Sequence, residues 1–200
     1  MIIDPDACRG RDAVDVARLA LEGGAAVVQW RDKRREKGDQ LAEVRAIRDL
    51  CRRHDALFIV NDHVDLALAA GADGVHLGQH DLPVEVVRPL VPEGFLIGVS
   101  TNNADEARAA EAGGASYVAV GAVFPTASKE PERTRAASPE RVREVTSAAV
   151  RVPVVAIGGI DASNVGQVID AGADAAAVLS AVCGAGDPKL AAQELARAFE

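Results

Sequence analysis

Short apolar runs alternate with amphipathic segments along the whole chain. Four phrases repeat one order, a helix end, a glycine, a short turn and an apolar run, and they lie at 21–30, 69–78, 111–120 and 170–180. A glycine just past a helix end readily adopts the left-handed conformation that terminates the helix. The apolar run that follows is too short for a helix and is typical of a buried strand. Each phrase therefore predicts a junction from a helix to a strand.

The same pattern predicts eight strands with amphipathic helices between them. The predicted strands lie at 1–4, 25–30, 56–60, 74–77, 95–100, 117–121, 152–157 and 175–180. Segments such as 13–24 and 103–114 have apolar residues three and four positions apart, and a last helix is predicted near 187–199. This alternation predicts an α/β protein whose residues 1–200 form a single (β/α)₈ TIM barrel domain. An open doubly wound sheet is the main alternative, but no GxGxxG or GxxxxGK[ST] motif follows the first strand.

Composition and charge narrow the class of protein. The chain is 48% hydrophobic but only 3% aromatic, so its core must consist of Val, Ile, Leu and Ala, which suit buried parallel strands. A formal net charge of -8 argues against nonspecific binding to nucleic acid or to an anionic membrane. The three cysteines lie far apart in the sequence, which indicates free thiols in a reducing compartment. With no signal-peptide pattern and no long apolar window, we expect a soluble cytoplasmic protein.

Polar residues or glycines follow nearly every predicted strand. In a barrel of this kind the chemistry takes place at the carboxyl ends of the strands, so these residues are the candidates for a functional site. In chain order they are Gln29, Arg31, Lys33, Asn61, Asp62, Asp81, Ser100, Thr126, Ser128, Lys129, Gly158, Gly159, Leu179 and Ser180.

Two groups among these candidates favour phosphate binding. Arg31 and Lys33 alternate just beyond a buried strand and so can project on the same side, and Lys129 stands beside Ser and Thr residues. Gly158 and Gly159 after the seventh strand resemble the phosphate site that many barrels build from backbone N–H groups. The alternatives are that the basic residues are a solvated helix start and the glycines a plain turn.

Two acids favour a magnesium site. Asp62 and Asp81 follow neighbouring predicted strands, and two carboxylates suit one Mg²⁺ ion that also takes phosphate oxygens of a substrate. The alternative for Asp62 is an N-cap of the helix that follows it. Zinc is disfavoured because His63 and His80 form no zinc-binding spacing with each other or with a cysteine. His76 lies inside an apolar strand and is expected to be a hydrogen-bonded core residue.

The connection at 121–139 differs from the others. It is long and rich in Pro, Thr, Ser and charged residues, whereas most connections in compact domains are short. We predict a functional loop here. We expect residues 121–137 to be mobile without ligand and ordered with it.

Six sequence blocks together resemble the thiamine phosphate synthase family. In order they are VVQWRDK, VNDHVDLALAAGADGVHLGQHDLP, IGVST, VAVGAVFPTASK, VAIGGI and AVLSAV, and they cover nearly the whole chain. The resemblance implies a (β/α)₈ barrel and a transferase. That transferase joins a hydroxymethylpyrimidine diphosphate to a thiazole phosphate, giving thiamine phosphate and pyrophosphate.

The resemblance also implies roles for individual residues. The residues expected to act in catalysis are Arg31, Lys33, Ser100 and Lys129. Those expected to bind the pyrimidine diphosphate are Gln29, Trp30, Arg31, Asp32, Lys33, Asn61, Ser100 and Lys129. Those expected to bind the thiazole phosphate are Thr126, Ala127, Ser128, Gly159, Leu179 and Ser180. Asp62 and Asp81 would bind one Mg²⁺ ion, the two phosphorylated molecules would be the partners, and the likeness suggests a homodimer.

Three other functions are alternatives. A thiazole tautomerase relative resembles the chain but carries a histidine two positions past the serine of the fifth strand, where this chain has Asn102. A noncatalytic phosphate-binding barrel would explain the glycines after the seventh strand but not a metal-bearing site. A sugar-phosphate epimerase would need a paired acid and base, and the chain shows no clear pair. Two departures from the family pattern are Ser128, where Thr is more frequent, and Trp30, where an aliphatic residue or Phe is usual.

Overall fold

The computed structural model of the chain describes residues 1–126, 138–148 and 151–200. All eight predicted strands are present, and they form one sheet in chain order, β1 to β8. Their bounds are β1 Ile2–Ile3, β2 Val27–Trp30, β3 Leu57–Asn61, β4 Gly74–Leu77, β5 Leu96–Thr101, β6 Tyr117–Gly121, β7 Val154–Ile157 and β8 Ala175–Ala177. The prediction of eight strands alternating with helices is confirmed.

Helices separate the strands within the described ranges. Their bounds are α1 Ala13–Glu22, α2 Lys37–Arg53, α3 Val64–Ala70, α4 Val84–Val87, α5 Ala104–Ala112, α6 Pro139–Thr146, α7 Val165–Asp170, α8 Ser180–Cys183 and α9 Pro188–Arg197. Short 3-10 helices lie at Pro5–Cys8 and Arg88–Leu90. Within the described ranges, no helix combines the length and the apolar character that crossing a bilayer requires.

Local sequence signals explain where these helices begin and end. The Asp12 carboxylate accepts a hydrogen bond from the Asp15 N–H at 3.0 Å and caps α1. The Asn103 side chain caps α5 in the same way, by accepting from the Glu106 N–H at 2.9 Å. At the far end of α3, Gly71 has a φ of 69°, the left-handed conformation predicted from the repeated junction phrase.

The chain divides into two compact units. The first unit holds residues 1–75, 179–198 and 200, and the second holds residues 76–178 and 199. The first has an apolar core that includes fully buried Phe58, and the second has one that includes fully buried Ile97. The prediction that residues 1–200 form one domain stays a prediction.

The eighth strand is shorter than predicted. It ends at Ala177, and the last residues of the predicted strand instead begin α8. The Leu179 carbonyl accepts hydrogen bonds from the N–H groups of Val182 and Cys183, so the chain turns into a helix there. All three cysteines are free thiols, as predicted, and all three are buried.

Candidate active site

In the first unit, Arg31 is held by an acidic residue that follows β1. The Arg31 N–H donates to the Ile3 carbonyl at 2.9 Å and continues the ladder between β1 and β2. Its guanidinium donates to the carboxylate of Asp4, which is only 6% exposed. Asp4 also accepts from the Asp6 N–H at 3.1 Å, so its position is fixed from two sides. Asp4 therefore orients a predicted phosphate-binding arginine.

Lys33 and Asp62 lie together in the same unit. The Lys33 Nζ atom is 3.2 Å from Asp62 Oδ2, and the side chains are 49% and 21% exposed. Asp62 directly follows β3 and has a φ of 62°, the left-handed region that Asp and Asn occupy more readily than most residues. Lys33, which is predicted to bind phosphate, and Asp62, which is predicted to bind a metal ion, therefore lie together beyond the ends of β2 and β3.

The alternative that Asp62 caps a helix is wrong. The N-cap residue of α3 is His63, and no side-chain hydrogen bond caps this helix. The turn closes through the backbone instead, because the His63 N–H donates to the Asn61 carbonyl at 2.7 Å. The Asp62 carboxylate is therefore turned to Lys33 rather than to the helix.

Gln29 and Asn61 end neighbouring strands, as predicted. Gln29 lies in β2 opposite Ile59 of β3, and Asn61 is the last residue of β3. Both are half-buried. Gln29 projects from the opposite face of β2 to Trp30, because side chains alternate along a strand.

The side chain of Trp30 corrects one prediction. It is 1% exposed, its indole N–H donates to Gln40 Oε1 at 2.8 Å, and the Arg35 guanidinium lies 5.7 Å from the ring centroid. Gln40 in turn donates to the Arg35 carbonyl at 2.7 Å. The indole therefore belongs to the core under α2, and only the main chain of Trp30 remains for the predicted substrate contact.

Asp32 is also turned inward, to its own loop. Its carboxylate, 8% exposed, accepts from the N–H groups of Arg34 and Arg35 at 2.9 and 3.2 Å and from the Arg35 guanidinium at 2.5 Å. Burial raises the pKa of Asp32, but these hydrogen bonds outweigh it, so the pKa lies below its ordinary value. Asp32 therefore shapes the loop that carries Arg31 and Lys33, and its carboxylate is engaged there rather than turned to a substrate.

In the second unit, Asp81 closes the loop after β4. Its Oδ2 atom accepts from the Gly78 N–H at 2.6 Å, and its own N–H donates to the Gly78 carbonyl at 3.2 Å. The residue is half-buried. These two hydrogen bonds fix the position of the carboxylate just beyond the end of the strand.

Ser100 of β5 has a histidine partner. His76 Nε2 lies 2.9 Å from Ser100 Oγ, and His76 Nδ1 lies 3.0 Å from the hydroxyl oxygen of Tyr117. The prediction that His76 is a hydrogen-bonded core residue is confirmed, since it is 6% exposed with both ring nitrogens engaged. The contact of His76 with Ser100, a residue expected to bind the substrate, was not anticipated from the sequence.

The chain after β6 touches the glycine turn after β7. A Cβ atom at Gly159 would lie 2.6 Å from the Pro125 carbonyl oxygen and 2.8 Å from that of Phe124, and Gly159 has a φ of 65°. The Asn164 amide donates to the Gly159 carbonyl at 2.9 Å and holds the turn. Only glycine fits such an approach, and it brings the turn against the residue that precedes Thr126.

Two other predicted thiazole phosphate residues belong to the start of α8. Leu179 is the N-cap of α8 in the first unit, and exposed Ser180 is the first residue of that helix. Ala127, Ser128 and Lys129 lie outside the described residues, as does most of the predicted functional loop at 121–137.

The donor atoms suit a hard cation. Across the described ranges, no group of three or more His, Cys, Asp or Glu side chains could hold a metal ion by itself. Asp62 and Asp81 offer carboxylate oxygens, and Mg²⁺ is commonly held by one or two carboxylates together with water and substrate phosphate oxygens. Each of these carboxylates has the chemistry to bind magnesium together with the phosphate of a substrate.

Comparison with known proteins places the chain in a family. The model of the family described as thiamine monophosphate synthase matches residues 1–182. A thiamine-phosphate synthase of Methanoculleus marisnigri is 50% identical over 195 residues, which are 98% of this chain and 92% of that protein. One of Chlorobium limicola is 49% identical over 186 residues, 92% of this chain and 87% of that protein.

A solved structure agrees in fold and sequence. A thiamine phosphate pyrophosphorylase from Pyrococcus furiosus is 40% identical, with a TM-score of 0.90 over 99% of this chain and 93% of that chain. This match confirms the predicted (β/α)₈ fold. The chain belongs to the thiamine monophosphate synthase family.

Proposed function

We propose that this family member, a transferase of thiamine biosynthesis, works by a dissociative, magnesium-assisted route. Pyrophosphate would leave the pyrimidine diphosphate first, and the thiazole nitrogen would then attack the resulting methylene cation. The observation that carries this proposal is the pair formed by Lys33 and Asp62, next to Asn61. At this place Lys33 would supply a cation for the diphosphate, and Asp62 would supply a carboxylate for its metal ion.

The first unit would bind the leaving group. Arg31 and Lys33 would hold diphosphate oxygens, with Arg31 kept in place by Asp4. Fixed positive charge favours the departure of pyrophosphate because negative charge grows on it as the bond breaks. Gln29 and Asn61 would donate or accept hydrogen bonds beside it, as would the main chain of Trp30 and Asp32.

Magnesium would be held by Asp62 and Asp81 as one ion. When bound, it neutralises charge on the diphosphate and so aids departure of the leaving group. The Asp62 carboxylate would then exchange its contact with Lys33 for the metal, which would leave the ammonium group to a phosphate oxygen.

Two further residues would bind the pyrimidine diphosphate. Ser100 would contact the pyrimidine diphosphate through its hydroxyl, which is half-buried beside His76. Lys129, outside the described residues, would add a further positive charge.

The thiazole phosphate would be bound after β6, β7 and β8. The residues in this role are Thr126, Ala127, Ser128, Gly159, Leu179 and Ser180. The backbone at Gly159 has a left-handed conformation and is held by Asn164, and backbone N–H groups in turns of this kind can line an anion site. The thiazole nitrogen has no proton to lose when it attacks, so the reaction needs no general base.

The tautomerase alternative is disfavoured by the environment of Asn102. The Asn102 backbone N–H and its side-chain amide both donate to Glu106 Oε2, at 2.8 and 3.2 Å. An amide bound to the first turn of α5 is not a proton acceptor, as the histidine of a tautomerase would be. This supports synthesis of thiamine phosphate rather than isomerisation of a thiazole.

Three wider features belong to the same proposal. Residues 1–200 would act as one domain, as a homodimer, and in the cytoplasm, which the likeness to the family supports. Sedimentation of the purified chain tests the dimer, and a monomer at the concentration of the activity assay would contradict it.

The experiment for the reaction is an omission assay followed by ³¹P NMR. The complete mixture of protein, Mg²⁺ and both substrates should give pyrophosphate and thiamine phosphate in equal amounts. Mixtures that lack the thiazole phosphate or Mg²⁺ should give no thiamine phosphate. A complete mixture without product, under conditions in which a known synthase turns over, would overturn the proposal.

A further inference from the structure

The side chain of His76 joins two hydroxyl groups on neighbouring strands. We propose that His76 is a positioning residue that fixes the hydroxyl of Ser100 for the substrate, and that Tyr117 fixes His76. This inference rests on the proposed function, since it concerns how the same site handles its substrate.

The sheet is built to bring these three residues together. Gly98 of β5 lies opposite Tyr117 of β6 in the parallel register. A Cβ atom at Gly98 would lie only 2.0 Å from Cζ and 2.3 Å from the hydroxyl oxygen of Tyr117, so the ring covers the bare backbone of the glycine. Ser100 is two residues further along β5 and therefore projects on the same face as the ring.

The hydroxyl of Tyr117 crosses β5 in this way and reaches β4. The Nδ1 atom of His76 lies 3.0 Å from this hydroxyl oxygen, and the centroids of the two rings are 5.6 Å apart. The hydrogen bond and the ring contact with Tyr117 restrict the rotation of the imidazole. Its Nε2 atom stays directed to Ser100 at 2.9 Å.

An imidazole in this place controls the proton of the serine. A neutral imidazole has one nitrogen that donates and one that accepts. If Nε2 donates, Ser100 keeps its own proton for an acceptor atom of the substrate. If Nε2 accepts, the serine presents only lone pairs to a donor such as an amino group. The contact with Tyr117 Oη at Nδ1 takes part in selecting between these states, so the triad sets the polarity of a substrate contact.

Core stability alone gives little reason for this residue. The neighbours of His76 in β4, Val75 and Leu77, are buried apolar residues, and an aliphatic side chain would fill the same strand position. Burying an imidazole removes its hydrogen bonds to water, which the two hydroxyl groups must replace. The arrangement gains a directed serine hydroxyl that an aliphatic residue would not provide.

The test is a double-mutant cycle on His76 and Ser100. His76→Leu and Ser100→Ala are each expected to lower kcat/KM for the pyrimidine diphosphate by about tenfold or more. The double variant is expected to be no slower than the slower single variant, because residues that act as a unit are not additive. Thr101→Val is the matched control: the hydroxyl next along β5 is buried and bonds the Ala119 carbonyl at 3.4 Å, so its loss should leave kcat/KM unchanged.

Three further variants keep the test decisive if His76→Leu folds poorly. Tyr117→Phe removes one hydroxyl and keeps the ring over Gly98, and it should lower kcat/KM by less than Ser100→Ala does. His76→Gln, whose amide can reach the place of Nε2, should recover part of the rate lost in His76→Asn, whose shorter amide cannot.

The outcomes separate the inference from the function on which it rests. Independent, multiplicative losses in the cycle, or equal rates for His76→Gln and His76→Asn, would overturn the positioning role while wild-type activity stands. A wild-type protein that makes no thiamine phosphate would overturn the proposed function and this inference with it.

Discussion

The ammonium group of Lys33 lies 3.2 Å from the carboxylate of Asp62, two residues that follow neighbouring strands and that are both in the proposed diphosphate site. The lysine side chain is half exposed, and ion pairs of this kind add little to stability. We propose that the pair is the resting arrangement of two groups that would bind a metal ion and a phosphate. The Asp62 side chain can take this role because it does not cap α3, whose N-cap residue is His63.

Replacement of Asp62 should separate catalysis from stability. Asp62→Asn keeps a side chain that tolerates the φ of 62° but removes the charge. We expect its activity to fall at least about tenfold at limiting Mg²⁺, with part of the loss recovered at high Mg²⁺. Unfolding by denaturant should show little change for Asn, whereas Asp62→Ala should lose about 1 kcal/mol through backbone strain. An Asn variant with a normal response to Mg²⁺ would remove Asp62 from the metal site.

Replacement of Asp4 should weaken binding through Arg31. Asp4→Asn leaves an acceptor for the Asp6 N–H but removes the charge that anchors the guanidinium. We expect KM for the pyrimidine diphosphate to rise roughly tenfold, because a displaced Arg31 binds the diphosphate in poorer geometry. The free energy of unfolding should fall by about 1–3 kcal/mol, since the pair is largely buried.

A second pair next to it gives the matched control. Asp6 lies 2.6 Å from Arg34, but both side chains are more than half exposed. Asp6→Asn should therefore change the free energy of unfolding by less than about 0.5 kcal/mol and leave KM unchanged. Equal effects of the two substitutions on KM would mean that Asp4 does not act through Arg31.

The indole of Trp30 should behave as a core group. Trp30→Phe leaves Gln40, which is fully buried, without its donor and should cost about 1–3 kcal/mol of stability. The double variant Trp30→Phe with Gln40→Met should recover part of this loss, because both polar partners are then gone. KM values for both substrates should stay near those of the wild type. A large rise in KM without loss of stability would return the indole to the substrate site.

Two glycines should respond in opposite ways to alanine. Gly98→Ala places a methyl group 2.0 Å from the Tyr117 ring, so we expect a loss of about 1–3 kcal/mol together with reduced activity. Gly166→Ala in α7 meets no atom within 4 Å and should instead stabilise the helix by about 0.5–1 kcal/mol at full activity. Thermal unfolding and turnover measured on both variants check this; an unaffected Gly98→Ala would show that the ring can move aside.

Acid should reveal the role of Asp32 in its loop. The pKa of Asp32 in the folded protein lies below its ordinary value, because hydrogen bonds to the charged form outweigh the effect of burial. The ionised carboxylate therefore stabilises the folded state above the unfolded-state pKa, and this stabilisation is lost as pH falls through the folded pKa. The difference in free energy of unfolding between wild type and Asp32→Asn should be largest at neutral pH and should shrink in acid. A difference that does not vary with pH would contradict this account of the loop.

Most of the fold could be predicted from the sequence because the patterns that indicate strands and helix ends are local. The glycine junctions at Gly71 and elsewhere and the short apolar runs gave the strands to within one or two residues at most ends. Eight repeats of a strand followed by a helix are compatible with few chain topologies. The exception is the end of β8, where Leu179 is the N-cap of a short helix whose residues are as apolar as those of a strand.

The site was predictable only where a residue's position at a strand end was sufficient. Asp62 and Lys33 were predicted as site residues in this way, whereas their contact with each other was not predicted. Asp4 was missed because its importance depends on the register between β1 and β2, which brings it to Arg31 from 27 residues away. The link from His76 to Ser100 depends on a ring that crosses a glycine of the intervening strand, which no local pattern reveals.

The most direct test of the whole account is to follow the new carbon–nitrogen bond itself. The protein would be incubated with Mg²⁺, pyrimidine diphosphate labelled with ¹³C at its methylene carbon, and thiazole phosphate labelled with ¹⁵N. We expect a product in which the two labels show one-bond coupling by NMR, formed at the same rate as pyrophosphate. Labelled substrates that remain uncoupled, or a thiazole that changes without joining the pyrimidine, would contradict it.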